Sequence, residues 1–166
     1  TNRFRIVYGK KFLDPDAVRA NEEIAEIIKK FGVQFVCADN GAGHFANRDL
    51  EMRLGMPVLR VCYAGDRLKM QWDGIAGMYK ASRTRTLIDS FTNIRHGRVW
   101  FYDWKKFKDL APHFLAEYHE ETFDNRGNVV LKFDHPDSKP DDALHAFNVM
   151  FSVFKETRDP KGFIFG

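Results

Sequence analysis

Residues 33–43 read Val-Gln-Phe-Val-Cys-Ala-Asp-Asn-Gly-Ala-Gly, and their pattern decides the fold class. Val33 to Ala38 is a short apolar run, as expected of a strand covered on both faces. Asp39-Asn40-Gly41-Ala42-Gly43 breaks that run sharply. An acid therefore stands at the carboxyl end of a buried strand, where open α/β sheets gather their sites, with glycines behind it that allow close approach. The plainer alternative is that Asp39 only opens an Asp-Asn-Gly turn.

Outward from this strand, helical and strand patterns alternate. On the N-terminal side, residues 3–12 alternate around Phe4, Ile6 and Tyr8 as a half-buried strand does. Asp14-Pro15-Asp16 is a stop and helix-start signal. Residues 17–31 place Val18, Ile24, Ile27, Ile28 and Phe31 near one helical face, with Gly32 as the stop. On the C-terminal side, residues 47–54 predict a short helix and 57–63 a second buried strand. Residues 64–80, with Gly65, Gly74 and Gly77, read as a long functional loop with some local helix. Ser82 or Thr84 caps a helix carrying Leu87, Ile88, Phe91 and Ile94, ended by Gly97. Residues 98–102 form a short strand. Residues 104–118 are amphipathic but interrupted by Pro112. Residues 122–124 and 128–133 flank Asn125-Arg126-Gly127, a hairpin signal. The last helix, 141–155, carries Leu144, Phe147, Met150, Phe151 and Phe154, and the tail ends in apolar Phe163-Ile164-Phe165, which needs a partner surface. The pattern predicts an α/β mixed sheet flanked by helices, with a β-hairpin near 122–133, in a single domain over residues 1–166.

Composition supports this. The chain has 166 residues, of which 44% are hydrophobic and 30% charged, and 16 are Phe, enough to fill a core between a sheet and its helices. No apolar run approaches the ~18–20 residues of a membrane span, and the basic start shows no secretory signal. Cys37 and Cys62 sit in apolar runs, with no CxxC, and read as buried free thiols on neighbouring strands in a reducing compartment. The net charge is only +3, but residues 60–110 hold 11 Lys/Arg against 5 Asp/Glu and the remainder 15 against 18. Such a basic middle section suits a polyanion. Arg67, Lys69, Lys80, Arg83 and Arg85, interleaved with Trp72 and Tyr79, are its candidate DNA-backbone contacts; otherwise they are simply solvated.

Asp141-Asp142 opens the last helix. One aspartate there is explained by capping and the helix dipole. Two adjacent ones repel unless a cation lies between them, and carboxylate oxygens are the ordinary ligands of Mg2+ or Mn2+. With Asp39 they suggest a carboxylate cluster at one sheet edge, suited to two ions ~3.5–4 Å apart for in-line phosphodiester attack. His145 follows Asp141 by four residues and shares its helix face, so it could orient an aspartate or touch a metal, or merely pack. His135 is a weaker candidate. The chain contains no Walker loop, no GxSxG and no HExxH.

Four stretches carry a resemblance: RFRIVYGKKF, FVCADNGAG, SRTRTLIDSFTNIRHGRVWFYDWKKFKDLAPHFLAEY and KPDDALHAFNVMF. Together, over residues 3–156, the chain resembles the C-terminal nuclease domain of the large terminase subunit of tailed phages. The resemblance implies a ribonuclease H-like fold and three acidic positions holding Mg2+ or Mn2+, two ions in all. Asp39 matches the second position, and Asp141 and Asp142 the third. The first belongs on a strand that would precede Thr1, so an edge of the site lies outside this sequence, as does the ATPase half. The activity implied is cutting double-stranded DNA as packaging starts and when the head is full. The implied partners are the ATPase domain, the small terminase subunit and the portal, in the host cytoplasm and with no membrane. Two other readings remain open: a resolvase- or transposase-type nuclease of the same fold, and a non-catalytic DNA- or portal-docking module.

Overall fold

The computed structural model describes residues 3–13, 16–41, 43–65 and 68–158. Asp14, Pro15, Arg67 and the apolar tail 163–165 lie outside the described residues. The decisive strand, β2 (Val36–Asp39), pairs in parallel with β3 (Val58–Tyr63), and β3 with β5 (Met78–Ala81). The edge strand β4 (Gln71–Asp73) runs antiparallel to β5, giving the order β2-β3-β5-β4. A separate parallel pair joins β1 (Phe4–Ile6) to β6 (Val99–Phe101), and β7 (Tyr118–Phe123) and β8 (Val129–Asp134) form an antiparallel hairpin. The α/β class with a mixed sheet and flanking helices is therefore as expected.

Strand alternation assigns the two faces of the four-stranded sheet. Val36, Ala38 and Val58 pack with Ala25 and Leu50 of α1 (Ala17–Phe31) and α2 (His44–Leu54). Cys37, Leu59, Val61 and Tyr63 face the other way, onto Val149 and Val153 of α6 (Asp142–Arg158). Asp39, two residues after Cys37, belongs to this α6 face. Both cysteines are free and half-buried, and Cys37 pairs in register with Leu59 on the neighbouring strand. Burial pushes the Cys37 thiol up to about 11.

Helix α6 is the central post. Besides Val149 and Val153, its Leu144 packs with Leu87 of α3 (Arg83–Arg95) and Phe133 of β8. Its Phe147 and Phe151 pack with Phe4, Ile6 and Val99 of the two-stranded sheet. A helix with apolar residues on several sides packs against more than one layer.

Three expectations need correction. Residues 64–80 are not a loop: they contain β4 and most of β5, joined by a turn over 74–77 in which Asp73 accepts from the Ile75 and Ala76 amides. Trp72 lies opposite Tyr79 across that hairpin. Residues 104–118 do not form one kinked helix. They split into α4 (Trp104–Phe107) and α5 (Ala111–Phe114), with Pro112 in the first turn of α5, where its missing N–H costs nothing. Strand β7 then begins at Tyr118, earlier than the hairpin signal implied. On α1, Val18 and Phe31 are exposed, and the helix docks on α2 through Ala25 against Leu50 and through the polar side chain of Asn21. Asn21 Nδ2 donates to the Ala46 carbonyl at 2.7 Å and to Asp49 at 3.0 Å.

Candidate metal centre

The parallel strands bring their carboxyl ends to one edge. Asp39 ends β2, Tyr63 ends β3, and Arg83 opens α3 two residues after β5. The Asp39 side chain is exposed and folds back over Gly41: a Cβ there would meet Asp39 Oδ2 at 2.7 Å. Asn47 of α2 donates to the Asp39 carbonyl at 2.9 Å and fastens the strand end.

The start of α6 faces this edge. The Asp141 carbonyl accepts the first helical bond, from His145 N, at 3.1 Å. Its carboxylate turns to the imidazoles instead of capping. Asp141 Oδ2 lies 2.9 Å from His145 Nε2 and 3.4 Å from His135 Nε2. Adjacent helical residues diverge by about 100°, so Asp142 points elsewhere, into a cavity of about 580 Å3 lined by Ile6, Phe101, Phe147 and Met150 among others.

Glu117, on the segment entering β7, completes the group. Its Oε1 accepts from Arg83 Nη2 and lies 3.2 Å from His145 Nε2. Arg83 Nη1 donates to the Phe133 carbonyl at 2.7 Å, and Arg83 Nη2 is 3.9 Å from Asp141 Oδ2. The Glu117 side chain is 0% exposed, yet its Oε2 has no hydrogen-bond partner. Burial raises its pKa, and the neighbouring Asp141 carboxyl adds to that; the Arg83 and His145 charges pull the other way. The Pro136 carbonyl, and after it the Asp141 charge, favours the proton on His135.

Behind the charged groups lies a neutral network. Tyr63 Oη meets His145 Nδ1 at 3.3 Å and accepts from Asn148 Nδ2 at 2.8 Å. Asn148 also donates to Thr86 Oγ1 at 2.9 Å and accepts from Ser90 Oγ at 2.6 Å. Burial pushes the Tyr63 hydroxyl up to about 12; the Asn148 bond opposes this and the Asp39 carboxylate adds to it.

Ligand atoms of Glu117, Asp141 and His145 all lie within 4.8 Å of one another, the only such group of three among the described residues. Two carboxylates and an imidazole are ligand types for a divalent cation, but here the Arg83 Nη2 nitrogen stands among them, bonded to Glu117 Oε1 and 3.4 Å from His145 Nε2. Of the sequence-derived set, Asp141 and His145 stand in this group; Asp39 and Asp142 stand outside it. Glu117 was missed by sequence reading. Among the basic candidates, Arg83 joins the group, Lys69 and Arg85 are exposed, and Lys80 is held by Asp73 at 2.7 Å. Set against family profiles, curated proteins and solved structures, the chain matches none.

Proposed function

We propose that this chain is a metal-dependent endonuclease domain that cuts double-stranded DNA during viral genome packaging by two-metal-ion phosphodiester hydrolysis. One observation supports the reading: Asp39 ends β2 at the same sheet edge where half-buried Tyr63 ends β3, and Tyr63 reaches His145 near the start of α6. The Asp39 charge acts on Tyr63, whose hydroxyl leads through His145 to Asp141. Asp39 and Asp141 are the ligands in this reading, for Mg2+ or Mn2+; Asp142, expected beside them, lines the neighbouring cavity instead. Bound there, the ions supply an acidified attacking water and positive charge for the leaving oxygen. The protein orients the carboxylates: Tyr63 and Asn148 hold His145, His145 holds Asp141, and Gly41 leaves room for Asp39. Exposed Lys69 and Arg85 suit phosphate contacts that need no base reading.

The finer fold reading, ribonuclease H-like, draws support from open strand edges. β1 and β2 both pack on α6, and each ends its own sheet among the described residues. A strand entering beside β2 would bring its own acid next to Asp39. By the same resemblance, the partners are DNA, the ATPase domain, the small terminase subunit and the portal, in the host cytoplasm. No described helix is long and apolar enough to cross a membrane.

The Arg83 guanidinium already balances Glu117, and this favours a second reading, a docking module whose acids are structural. Plasmid nicking in Mn2+ separates the two, using a chain extended upstream of Thr1. Asp39→Asn and Asp141→Asn should each abolish nicking. Undiminished cutting by both variants defeats the nuclease, and an inert wild type leaves the docking module.

A further inference from the structure

We infer that the outer face of the β1–β6 pair, built from Arg3, Arg5, Arg98, Trp100 and Tyr102, binds single-stranded nucleic acid. The inference goes beyond the nuclease reading and stands on this face alone, without the metal centre.

Alternation along two short strands makes the face. Phe4, Ile6 and Val99 turn inward to Phe147 and Phe151 of α6. Arg3, Arg5 and Trp100 therefore turn outward, and all three are exposed. The register sets Arg5 against Trp100, while Arg3 and Arg98 immediately precede the first matched pair, Phe4 and Val99. Three guanidinium groups are thereby gathered on a short stretch of two neighbouring strands. Among the described residues, none of the three forms an ion pair, whereas Lys10, Arg19, Arg53, Lys80 and Lys155 each meet a carboxylate. Like charges set side by side without a counter-charge repel, and a polyanion laid across them relieves that repulsion.

Phosphate attraction alone would serve any nucleic acid; the rings select one whose bases are open. The Arg3 guanidinium lies over the Trp100 ring, 4.9 Å from its centroid. Trp100 is 48% exposed and Tyr102 71%. The Trp100 ring is held in place, because its Nε1 donates to the Gly97 carbonyl at 2.8 Å. A cleft of about 310 Å3 opens between Arg3, Phe4, Arg5 and Trp100. Bases stack on aromatic rings and on guanidinium planes with little regard to sequence, and only an unpaired strand offers them free base faces. Arginine suits both tasks, since its planar group stacks while its N–H fork meets phosphate.

The test is fluorescence anisotropy of a labelled oligothymidylate and of a labelled duplex of equal length, mixed with the wild-type protein in EDTA over a range of salt. The single strand should bind saturably, and about tenfold or more tightly than the duplex. Trp100→Ala should weaken that binding about tenfold, and Trp100→Phe, which keeps a ring for stacking, should regain most of it. Arg5→Ala should lower the slope of log affinity against log salt by about 0.7, one phosphate contact on a single strand. Absence of saturable binding, a duplex bound as tightly, a Trp100→Ala protein that binds as wild type, a Trp100→Phe protein as weak as Trp100→Ala, or an unchanged salt slope in Arg5→Ala would each overturn the inference. Should Trp100→Ala fail to fold, Tyr102→Ala decides in its place: weakened binding upholds the face and wild-type binding overturns it. Because EDTA removes metal, failure to bind leaves the nuclease reading standing, and a protein that never nicks leaves this face standing.

Discussion

Two sides of α6 meet the interior with opposite chemistry. Leu144, Phe147 and Phe151 present an apolar side, and Asp141, His145 and Asn148, spaced one turn apart, present a polar one. On the apolar side the rings interlock: Phe151 stacks on Phe147 at 5.3 Å and meets Phe4 edge-on at 4.6 Å. On the polar side satisfaction declines toward the helix start. Asn148, fully buried, has partners in Ser90, Thr86 and Tyr63. At the other end, the Glu117 carboxylate that faces His145 is left with an orphaned oxygen. The rear of the polar side is thus neutral and closely paired, while its front is charged and keeps one carboxylate oxygen without a hydrogen bond.

The contrast can be broken by substitution. Phe151→Ala should cost the most, about 3–5 kcal/mol by urea denaturation, because it opens a cavity between two sheets. A loss below about 1 kcal/mol would mean that the apolar side is not what anchors the helix. Asn148→Leu strands the Ser90 hydroxyl and takes one partner each from Tyr63 and Thr86, and should cost about 2–4 kcal/mol. A neutral result would show that this network is dispensable.

A pH titration probes the sheet side of the α6 contact, at Cys37. Its thiol is raised from 9.0 to about 11 by burial. The unfolded chain therefore releases this proton first, so stability is intact below about pH 9 and falls as pH rises toward 11, by about 2–3 kcal/mol in all. Cys37→Ala should flatten that alkaline slope in melting curves; an unchanged slope would assign it to other groups.

Tyr63→Phe sharpens the comparison further, since it cuts the link between the two ends of the polar side. It should cost about 1 kcal/mol or less in stability, yet slow nicking in Mn2+, because His145 and through it Asp141 lose a support. Smallest in stability is Gly41→Ala. The new methyl would sit 2.7 Å from Asp39 Oδ2 and turn the carboxylate away, so nicking should fall while the melting temperature barely moves.

Much of this organisation is legible in the sequence because burial writes itself as periodicity. The second half of the run at 33–38 and the run at 58–63 become paired β2 and β3, although Val33 and Phe35 are exposed rather than covered, and the apolar spacing of 144–154 becomes α6. Asp39 stands out because it ends an apolar run. The β4–β5 hairpin was hidden because each strand is short and the glycines of its turn dominate the local signal. Glu117 had no local mark at all. It follows Pro112 at the end of what reads as one amphipathic helix, and only tertiary folding carries it to Arg83 and His145. The split of Asp141 from Asp142 is likewise a matter of helix phase, which cannot be assigned until the partners of the helix are known.

Arg83 grips both legs of the β7–β8 hairpin at once, the Glu117 side chain at its entry and the Phe133 carbonyl near its exit. One guanidinium thereby works as a non-covalent rivet, holding closed a ribbon that would be marginal alone. Whatever draws Arg83 away from Glu117 would loosen the ribbon's root, so the occupancy of the carboxylates and the stiffness of the projecting arm are set by the same side chain.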